Sequence, residues 1–358
     1  IAPTTTTITS SQAPSRYYQP VTFTASVTSG DGTTPTGTVT FSDGTTFLGR
    51  CTLGEAGGPA NACTWPIASL AVGTRTINAF YSGDATHQAS PVGSFSQVVG
   101  KANVSLAVAS LDATVYRQTA TFRVTATPEF AGGIPTGLVS VSDGSTHLGW
   151  CSLSLAGTCD VTSGTLAVGP HPNIVATYVG DASYLTASAT TSQTVSRAPV
   201  TVTVTSSLPS TNYGRRTTFR ATVTSSYGTP TGTIAIFDGF TAIGNCGLSA
   251  GSCTITLSTL TIGDHPLVAS YGGDTYRTSS LSSTLTQSVV RTLSTTSIAS
   301  GVNPSVHGQT VTFTLSVTTA DGVTATGTVA LSDGTTGIGS CSLGIAATCT
   351  VDAAGLST

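Results

Sequence analysis

The chain has 358 residues, only 8% of them charged, and a net charge of −3, so no basic face exists to attract nucleic acid or anionic lipid. Thr, Ser, Gly and Val dominate, Lys101 is the single lysine, and mean hydropathy is +0.24. No run approaches the roughly 18 apolar residues of a membrane-spanning helix, because apolar residues alternate with Thr and Ser instead of clustering.

The chain starts at Ile1, contains no Met and shows no signal peptide, so it is expected to be a processed product or a piece of something longer. Val21, Phe23, Ala25 and Val27 alternate with Thr22, Thr24 and Ser26, the period-two pattern of a half-buried strand. A strand over 37–41 runs into Asp43-Gly44, a tight hairpin signal, and a return strand over 45–53 carries Cys51. A Gly- and Pro-rich loop over 54–59 leads to a strand carrying Cys63. A turn at Ala71-Val72-Gly73 precedes a strand through Ile77, Ala79 and Tyr81. A turn at Gly83-Asp84 and a last strand over 95–99 close the unit.

The same order then recurs. Phe122, Val124 and Ala126 take the early strand of a second unit, Phe219, Ala221 and Val223 that of a third, and Val311, Phe313, Leu315 and Val317 that of a fourth. Pro35-Thr36-Gly37 is matched by Pro135-Thr136-Gly137, Pro230-Thr231-Gly232 and Ala325-Thr326-Gly327. Tyr81, Tyr178 and Tyr271 each stand two residues before a Gly-Asp pair. No segment shows useful helical periodicity. About seven short strands per unit predict an all-β fold of tandem Ig-like β-sandwiches, with repeats at 1–100, 101–196, 197–290 and 291–358.

Each unit holds one cysteine pair: Cys51 and Cys63, Cys151 and Cys159, Cys246 and Cys253, Cys341 and Cys349. The intervals of 12, 8, 7 and 8 residues, with scattered histidines, do not fit the short Cys spacings of zinc sites. Regular pairs with none left over predict structural disulfides and an oxidising compartment.

Thr4-Thr5-Thr6-Thr7 leading to Pro20-Val21-Thr22-Phe23, then Pro35-Thr36-Gly37-Thr38-Val39, Leu70-Ala71-Val72-Gly73-Thr74 and Tyr81-Ser82-Gly83-Asp84, resemble the bacterial Ig-like repeats of large surface proteins. The resemblance covers nearly the whole chain. It implies a stalk, an adhesin shaft or a surface fibre. One departure is the cysteine pair. Antibody domains bridge their two sheets, whereas two Cys flanking one turn imply a link between neighbouring strands of a single hairpin. The strand carrying Val39 also lacks the buried Trp of antibody domains.

The units abut almost directly at Val98-Val99-Gly100-Lys101, Val195-Ser196-Arg197-Ala198-Pro199 and Val289-Val290-Arg291. Linkers this short cannot act as flexible coil, so an extended, stiff rod is expected, each module adding roughly 35–40 Å. If the Gly-Asp loop lies at the N-terminal end of its sandwich, Asp181 approaches Lys101 and Asp274 approaches Arg197, as contacts that limit bending at the junctions. An interdomain calcium site on the same aspartates lacks enough converging carboxylates. The fourth unit stops before its Tyr-x-Gly-Asp strand. Either further repeats continue the chain, or a neighbouring molecule donates the strand.

The remaining motifs carry little chemistry. Gly247-Leu248-Ser249-Ala250-Gly251 matches a nucleophile pattern that works only on a strand-to-helix turn, and here it falls between Cys246 and Cys253. Glu55 and Glu129, the only glutamates, lie in different units, which argues against paired-carboxylate catalysis. His87, His147, His171, His265 and His307 read as surface or turn residues, although His171 and His265 share a repeat position. A single lysine cannot supply a Lys–Asn isopeptide link in every unit. Trp65 and Trp150 each neighbour a Cys, as packing over the staple or as platforms for sugars, and Asn103-Val104-Ser105 fits a glycosylation sequon.

The sequence therefore predicts a non-enzymatic, structural, extracellular repeat protein of a bacterial surface, without metal or cofactor. Its partners would be copies of itself or further repeats, with no nucleic acid and no membrane span in this segment. The alternative is an adhesin whose repeats bind a host glycan or surface protein, and a third reading is a spacer within a larger secreted enzyme.

Overall fold

A computed structural model describes residues 1–356. Apart from a single 3-10 turn at Glu55–Gly57, the regular elements among the described residues are β-strands. The chain divides into two compact units, Ile1–Ser196 and a second from Arg197 onward.

The first sandwich is built from β1 (Thr4–Ser10), β2 (Ser15–Arg16), β3 (Val21–Ser29), β4 (Thr38–Asp43), β5 (Thr46–Thr52), β6 (Ala62–Ile67), β7 (Gly73–Tyr81) and β8 (Gly93–Gly100). One sheet runs β1-β3-β6 and the other β2-β8-β7-β4-β5. All pairings are antiparallel except that of β2 with β8. The second sandwich repeats this with β9 (Val104–Ser110), β10 (Thr114–Val115), β11 (Ala120–Pro128), β12 (Leu138–Asp143), β13 (Thr146–Ser152), β14 (Thr158–Ser163), β15 (Gly169–Tyr178) and β16 (Ala187–Ser196). Its sheets run β14-β11-β9 and β10-β16-β15-β12-β13.

In the second unit the third sandwich has β17 (Thr201–Ser206), β18 (Ser210–Asn212), β19 (Thr217–Thr224), β20 (Thr233–Asp238), β21 (Thr241–Gly247), β22 (Ser252–Leu257), β23 (Gly263–Tyr271), β24 (Ser280–Leu281) and β25 (Leu285–Val290). Its sheets are β17-β19-β22 and β18-β25-β23-β20-β21, with β24 added beside β23. The fourth repeat contributes β26 (Ser294–Ser300), β27 (Val311–Thr319), β28 (Thr328–Asp333), β29 (Thr336–Ser342) and β30 (Thr348–Ala353). These form the sheets β26-β27-β30 and β28-β29.

The strands form where the sequence alternates. In β3, Val21, Phe23, Ala25 and Val27 are buried while the intervening Thr and Ser are more open. Phe23, Phe41, Ile77 and Tyr81 fill the first core, and Phe122, Ile174 and Tyr178 the second. Phe219, Ile234, Ile236 and Tyr271 fill the third. Each such side chain contributes about 1.5–3 kcal/mol on burial. The fourth core is smaller, with Leu315, Leu331 and Val351 buried and Phe313 and Val329 only partly covered. At each Asp-Gly hairpin the glycine takes a positive φ, from 54° to 59°, which the tight turn into the return strand demands.

The topology corrects the sequence reading of the cysteines. Cys51 lies on β5, the edge of the five-stranded sheet, and Cys63 on β6, the edge of the three-stranded sheet. Their disulfide, with Cα atoms 5.8 Å apart, therefore joins the two sheets and is not a link within one hairpin. Cys151–Cys159, Cys246–Cys253 and Cys341–Cys349 do the same across β13 and β14, β21 and β22, and β29 and β30. A short spacing suggested one hairpin, but the chain changes sheets between the two cysteines. Two residues before the first Cys of each pair stand Gly49, Gly149, Gly244 and Gly339. A Cβ on Gly49 would lie 2.1 Å from the Trp65 ring, and one on Gly149 2.9 Å from Val161. The missing side chain lets one sheet edge close onto the other, so that the sulfurs meet.

Candidate functional site

Each complete sandwich carries an aspartate-centred polar corner at one end, with a tyrosine hydroxyl bonded into it in the first and third, while the buried Tyr178 hydroxyl of the second makes no hydrogen bond. In the first, the Tyr81 hydroxyl donates to the Thr36 carbonyl at 2.6 Å, and burial pushes its pKa up to about 12. Tyr271 donates to the Thr231 carbonyl at 2.8 Å in the third and is likewise raised to about 12, first by burial. The aspartate three residues on closes the corner. Asp84 accepts the Thr36 amide at 2.8 Å and the Thr86 and His87 amides, each at 2.8 Å. Asp181 accepts the amides of Thr136 at 2.9 Å, Ser183 at 2.8 Å and Tyr184 at 2.8 Å. Asp274 accepts those of Thr231 at 3.0 Å and Tyr276 at 2.8 Å.

These amides hold all three carboxyls below the ordinary range. The Thr36 amide is the largest influence on Asp84, while for Asp181 and Asp274 burial acts first and upward and is outweighed by the amide hydrogen bonds. The residue three past each aspartate varies. His87 is buried and bonds Thr33 through Nε2 at 2.7 Å, Tyr184 is buried, and Arg277 is buried against Asp274 at 3.1 Å. Of the surface-or-turn reading of His87, the turn holds, since it lies in the loop after β7, and the surface does not, since its ring is buried.

In each complete sandwich a second polar contact ties the Asp-Gly hairpin to the strand that flanks it on its other side, β7, β15 or β23. Arg75 Nε donates to Asp43 Oδ2 at 2.7 Å. Histidines take the place of Arg75 in the next two sandwiches, with His171 Nδ1 at 2.6 Å from Asp143 and His265 Nδ1 at 2.6 Å from Asp238. Both rings are largely buried and lie on the strands β15 and β23, which corrects their reading as surface or turn residues, whereas His147 and His307 are exposed.

The expected junction pairs behave differently from the sequence reading. Lys101 does reach Asp181, but through that residue's carbonyl oxygen, while the Asp181 carboxylate faces its own corner. The Gly-Asp loop does sit at the N-terminal end of its sandwich, since Ala102 bridges Tyr184 and Ala198 bridges Arg277. The Lys101 contact thus lies within the second repeat. Among the described residues no ion pair joins Arg197 to Asp274, whose carboxylate is taken by Arg277. The aspartates are consumed by nearby backbone amides, which the spacing argument did not count.

The contacts that join the first two sandwiches come from residues to which the sequence reading gave no part in the junction. Arg16 Nη1 donates to both Glu129 oxygens at 2.9 Å, and Glu129 also accepts the Asn103 amide at 2.9 Å. The Asn103 amide and Arg16 hold the Glu129 carboxyl below its usual value against the opposing effect of burial. Tyr17 meets Tyr18 edge-on at 4.7 Å and Tyr184 at 5.5 Å. The rings close over Gly132 and Gly133. A Cβ on Gly133 would lie 2.1 Å from the Tyr184 hydroxyl, and one on Gly132 2.5 Å from the Tyr18 ring. In the second unit Asp321 accepts from Thr292 at 2.6 Å and from Asn212 at 3.5 Å.

The joint makes two graded predictions. Arg16 and Glu129 are partly exposed, so a double-mutant cycle on Arg16→Ala and Glu129→Ala is expected to give a coupling of about 0.2–1 kcal/mol that shrinks with salt. Gly133→Val drives a side chain into Tyr184 and Tyr17, and is expected to lower the melting temperature of this unit more than both charge removals together. Scanning calorimetry of the four variants, the two single charge removals, their double and Gly133→Val, checks both statements.

Other sequence motifs resolve simply. Ser249 of the Gly-x-Ser-x-Gly stretch exchanges hydrogen bonds with Ser252 in a tight turn, with Ala250 at φ 50°, which is no nucleophile elbow. Trp65 is half-buried over Gly49, while Trp150 is 55% exposed beside His147. Among the described residues no group of three or more His, Cys, Asp or Glu side chains is placed to hold a metal ion, and no helix is long and apolar enough to cross a membrane.

A family model described as bacterial Ig-like domain (group 3) matches residues 8–100, 106–196 and 199–290. No curated protein sequence matches the chain. Among solved structures, the fibronectin(III)-like modules of Clostridium thermocellum CbhA align at 16% identity over 52% of this chain and 94% of theirs, with a TM-score of 0.23. A tetra-tandem repeat in the extending region of a large adhesion protein aligns at 12% identity over 100% of this chain and 92% of that one, with a TM-score of 0.35. The three N-terminal domains of the bacteriophage RB49 Hoc protein align at 15% identity over 81% of this chain and 100% of theirs, with a TM-score of 0.24.

Proposed function

Because the chain belongs to the bacterial Ig-like domain (group 3) family, we propose that it is a structural, extracellular repeat protein that forms a stiff stalk or filament on a bacterial cell surface. Ig-like repeats of this kind are typically non-enzymatic, and the reading assigns the chain no catalysis. Four disulfides with no free cysteine favour an oxidising, extracellular setting.

The observation that carries the reading is the joint of the first two sandwiches, where Arg16, Tyr17 and Tyr18 of one engage Glu129, Gly132 and Gly133 of the next. A flexible tether would leave these groups in water. The repeats at 1–100 and 101–196 would then stack with little slack, and the inter-sheet staples of these and of the repeats at 197–290 and 291–358 would resist unfolding under tension. Electron microscopy of the purified chain tests this. Straight particles lengthening by about 35–40 Å per repeat are expected, and particles bending freely between beads would overturn it.

Assembly by strand complementation belongs to the same reading. β4, β12 and β20 are each flanked by two strands, whereas β28 pairs with β29 alone among the described residues. Its other edge, beside the half-covered Phe313 and Val329, suits a strand of the Tyr-x-Gly-Asp type from further repeats of the same chain or from another copy. A second reading, an adhesin for a host glycan or surface protein, is favoured by the exposed Trp150. Saturable binding on a glycan array that is lost in Trp150→Ala would support it.

A further inference from the structure

We infer that the histidine–aspartate contacts of the second and third sandwiches are pH-gated latches on their Asp-Gly hairpins. His171 has an acceptor at both ring nitrogens, with Asp143 Oδ2 2.6 Å from Nδ1 and the Ala167 carbonyl 2.9 Å from Nε2. His265 repeats this with Asp238 at 2.6 Å and the Thr261 carbonyl at 2.8 Å. A neutral imidazole has one N–H and satisfies only one of two acceptors, while the imidazolium satisfies both. The geometry therefore fits the charged ring.

The position of the ring gives the protonation state a mechanical consequence. Asp143 ends β12 and opens the hairpin whose return strand, β13, carries Cys151. Ala167 lies in the turn before β15, the central strand on the other side of β12. The protonated ring thus ties the hairpin tip to the turn before β15, and its deprotonation leaves one of those ties unmade. Asp238, His265 and Thr261 hold the same places around β20 and β23.

The first sandwich supplies an internal control. Arg75 makes the corresponding contact with Asp43, at 2.7 Å from Nε and 2.6 Å from Nη2, and a guanidinium stays charged throughout the physiological range. The surroundings of the two histidines are otherwise simple. Asp143 is the charged group acting on His171, whose partner in register on β16 is the neutral Gln193. His265 faces Asp238, the neutral Gln287 on β25 and the adjacent Asp264, which accepts from Ser288.

For both rings burial acts first and favours the neutral form. The carbonyl hydrogen bond and then the aspartate outweigh it, so both are held above the usual histidine value. A folded-state pKa raised above about 6.5 gives stability that is complete below that pH and lost as pH rises through the folded value. Mild alkalinity therefore loosens the hairpins of the second and third sandwiches and leaves the first locked.

Nitrogen-15 imidazole NMR and amide hydrogen exchange on the whole chain test the latch. Both rings should titrate above 6.5 with both nitrogens protonated in mild acid. Exchange at Gly144 and Gly239, corrected for its intrinsic pH dependence, should accelerate several-fold between the acid and alkaline limbs, while Gly44 stays flat. The double variant His171→Arg, His265→Arg should flatten all three, and Asp143→Asn should lower the His171 pKa in a chain that keeps its imidazole. Rings titrating at or below 6.5, or the same exchange response at all three hairpins, would overturn the inference.

Discussion

Breaking the four disulfides is expected to lower the stability of each repeat by about 2.5–3 kcal/mol, or roughly 10–20 °C in melting temperature for a domain near 100 residues. The magnitude follows from the intervals of 12, 8, 7 and 8 residues, which set the chain entropy that each cross-link removes from the unfolded state. The inter-sheet placement adds a native-state argument. β5 and β6 are terminal strands of different sheets, and the backbone hydrogen bonds of each run only to its own sheet. Side-chain packing, with Trp65 over Gly49, is what else holds that side of the sandwich shut. Calorimetry with and without reductant checks the size. An unchanged trace after complete thiol alkylation would show that the staples contribute nothing. The pair Cys151→Ala, Cys159→Ala should lower one transition and spare the rest.

Much of this architecture is legible in the sequence because its causes are local. Val21, Phe23, Ala25 and Val27 state a buried face by alternation alone, and Asp43-Gly44 states a turn because a glycine supplies the positive φ. What sequence reasoning missed depends on which strand lies beside which. Cys51 and Cys63 are close in sequence, so nothing local reveals that β5 and β6 belong to different sheets. The one available signal was the recurring Gly-x-Cys, at Gly49, Gly149, Gly244 and Gly339, a strand glycine marking close approach. The joint was hidden more deeply. Arg16, at the end of β2, and Glu129, just past β11, are 113 residues apart and hold positions that do not match between repeats. The charges that were matched, Lys101 with Asp181 and Arg197 with Asp274, ignored the backbone amides that claim a carboxylate first. The role of His171 and His265 was half visible, since both occupy the place of Arg75, but the register that brings Asp143 and Asp238 alongside was not.

Replacing Asp181 by Ala is expected to destabilise the second sandwich by about 2–4 kcal/mol, the net of several charge-assisted hydrogen bonds less what water restores at a partly open loop. The carboxylate accepts four donors: the Thr136 amide and hydroxyl, at 2.9 and 2.8 Å, and the Ser183 and Tyr184 amides, each at 2.8 Å. Asp181→Asn keeps one acceptor oxygen and turns an NH2 toward the other donors, so it should fall between Ala and the wild type. The acid response follows from the depressed carboxyl. Its stabilisation is present above the unfolded value near 3.9 and disappears as pH falls through the lower folded value. Urea titrations at neutral pH and in acid should therefore show the gap between wild type and Asp181→Ala closing as the solution is acidified. An equal gap at both would sink the assignment. The consequence extends past one sandwich, because Asp181 fixes the backbone of Tyr184, and the Tyr184 ring packs on Tyr17 of the preceding repeat and over Gly133. Loss of one carboxylate should thus loosen a corner and the joint it supports, which links the Tyr-x-Gly-Asp motif to the stiffness that a stalk requires.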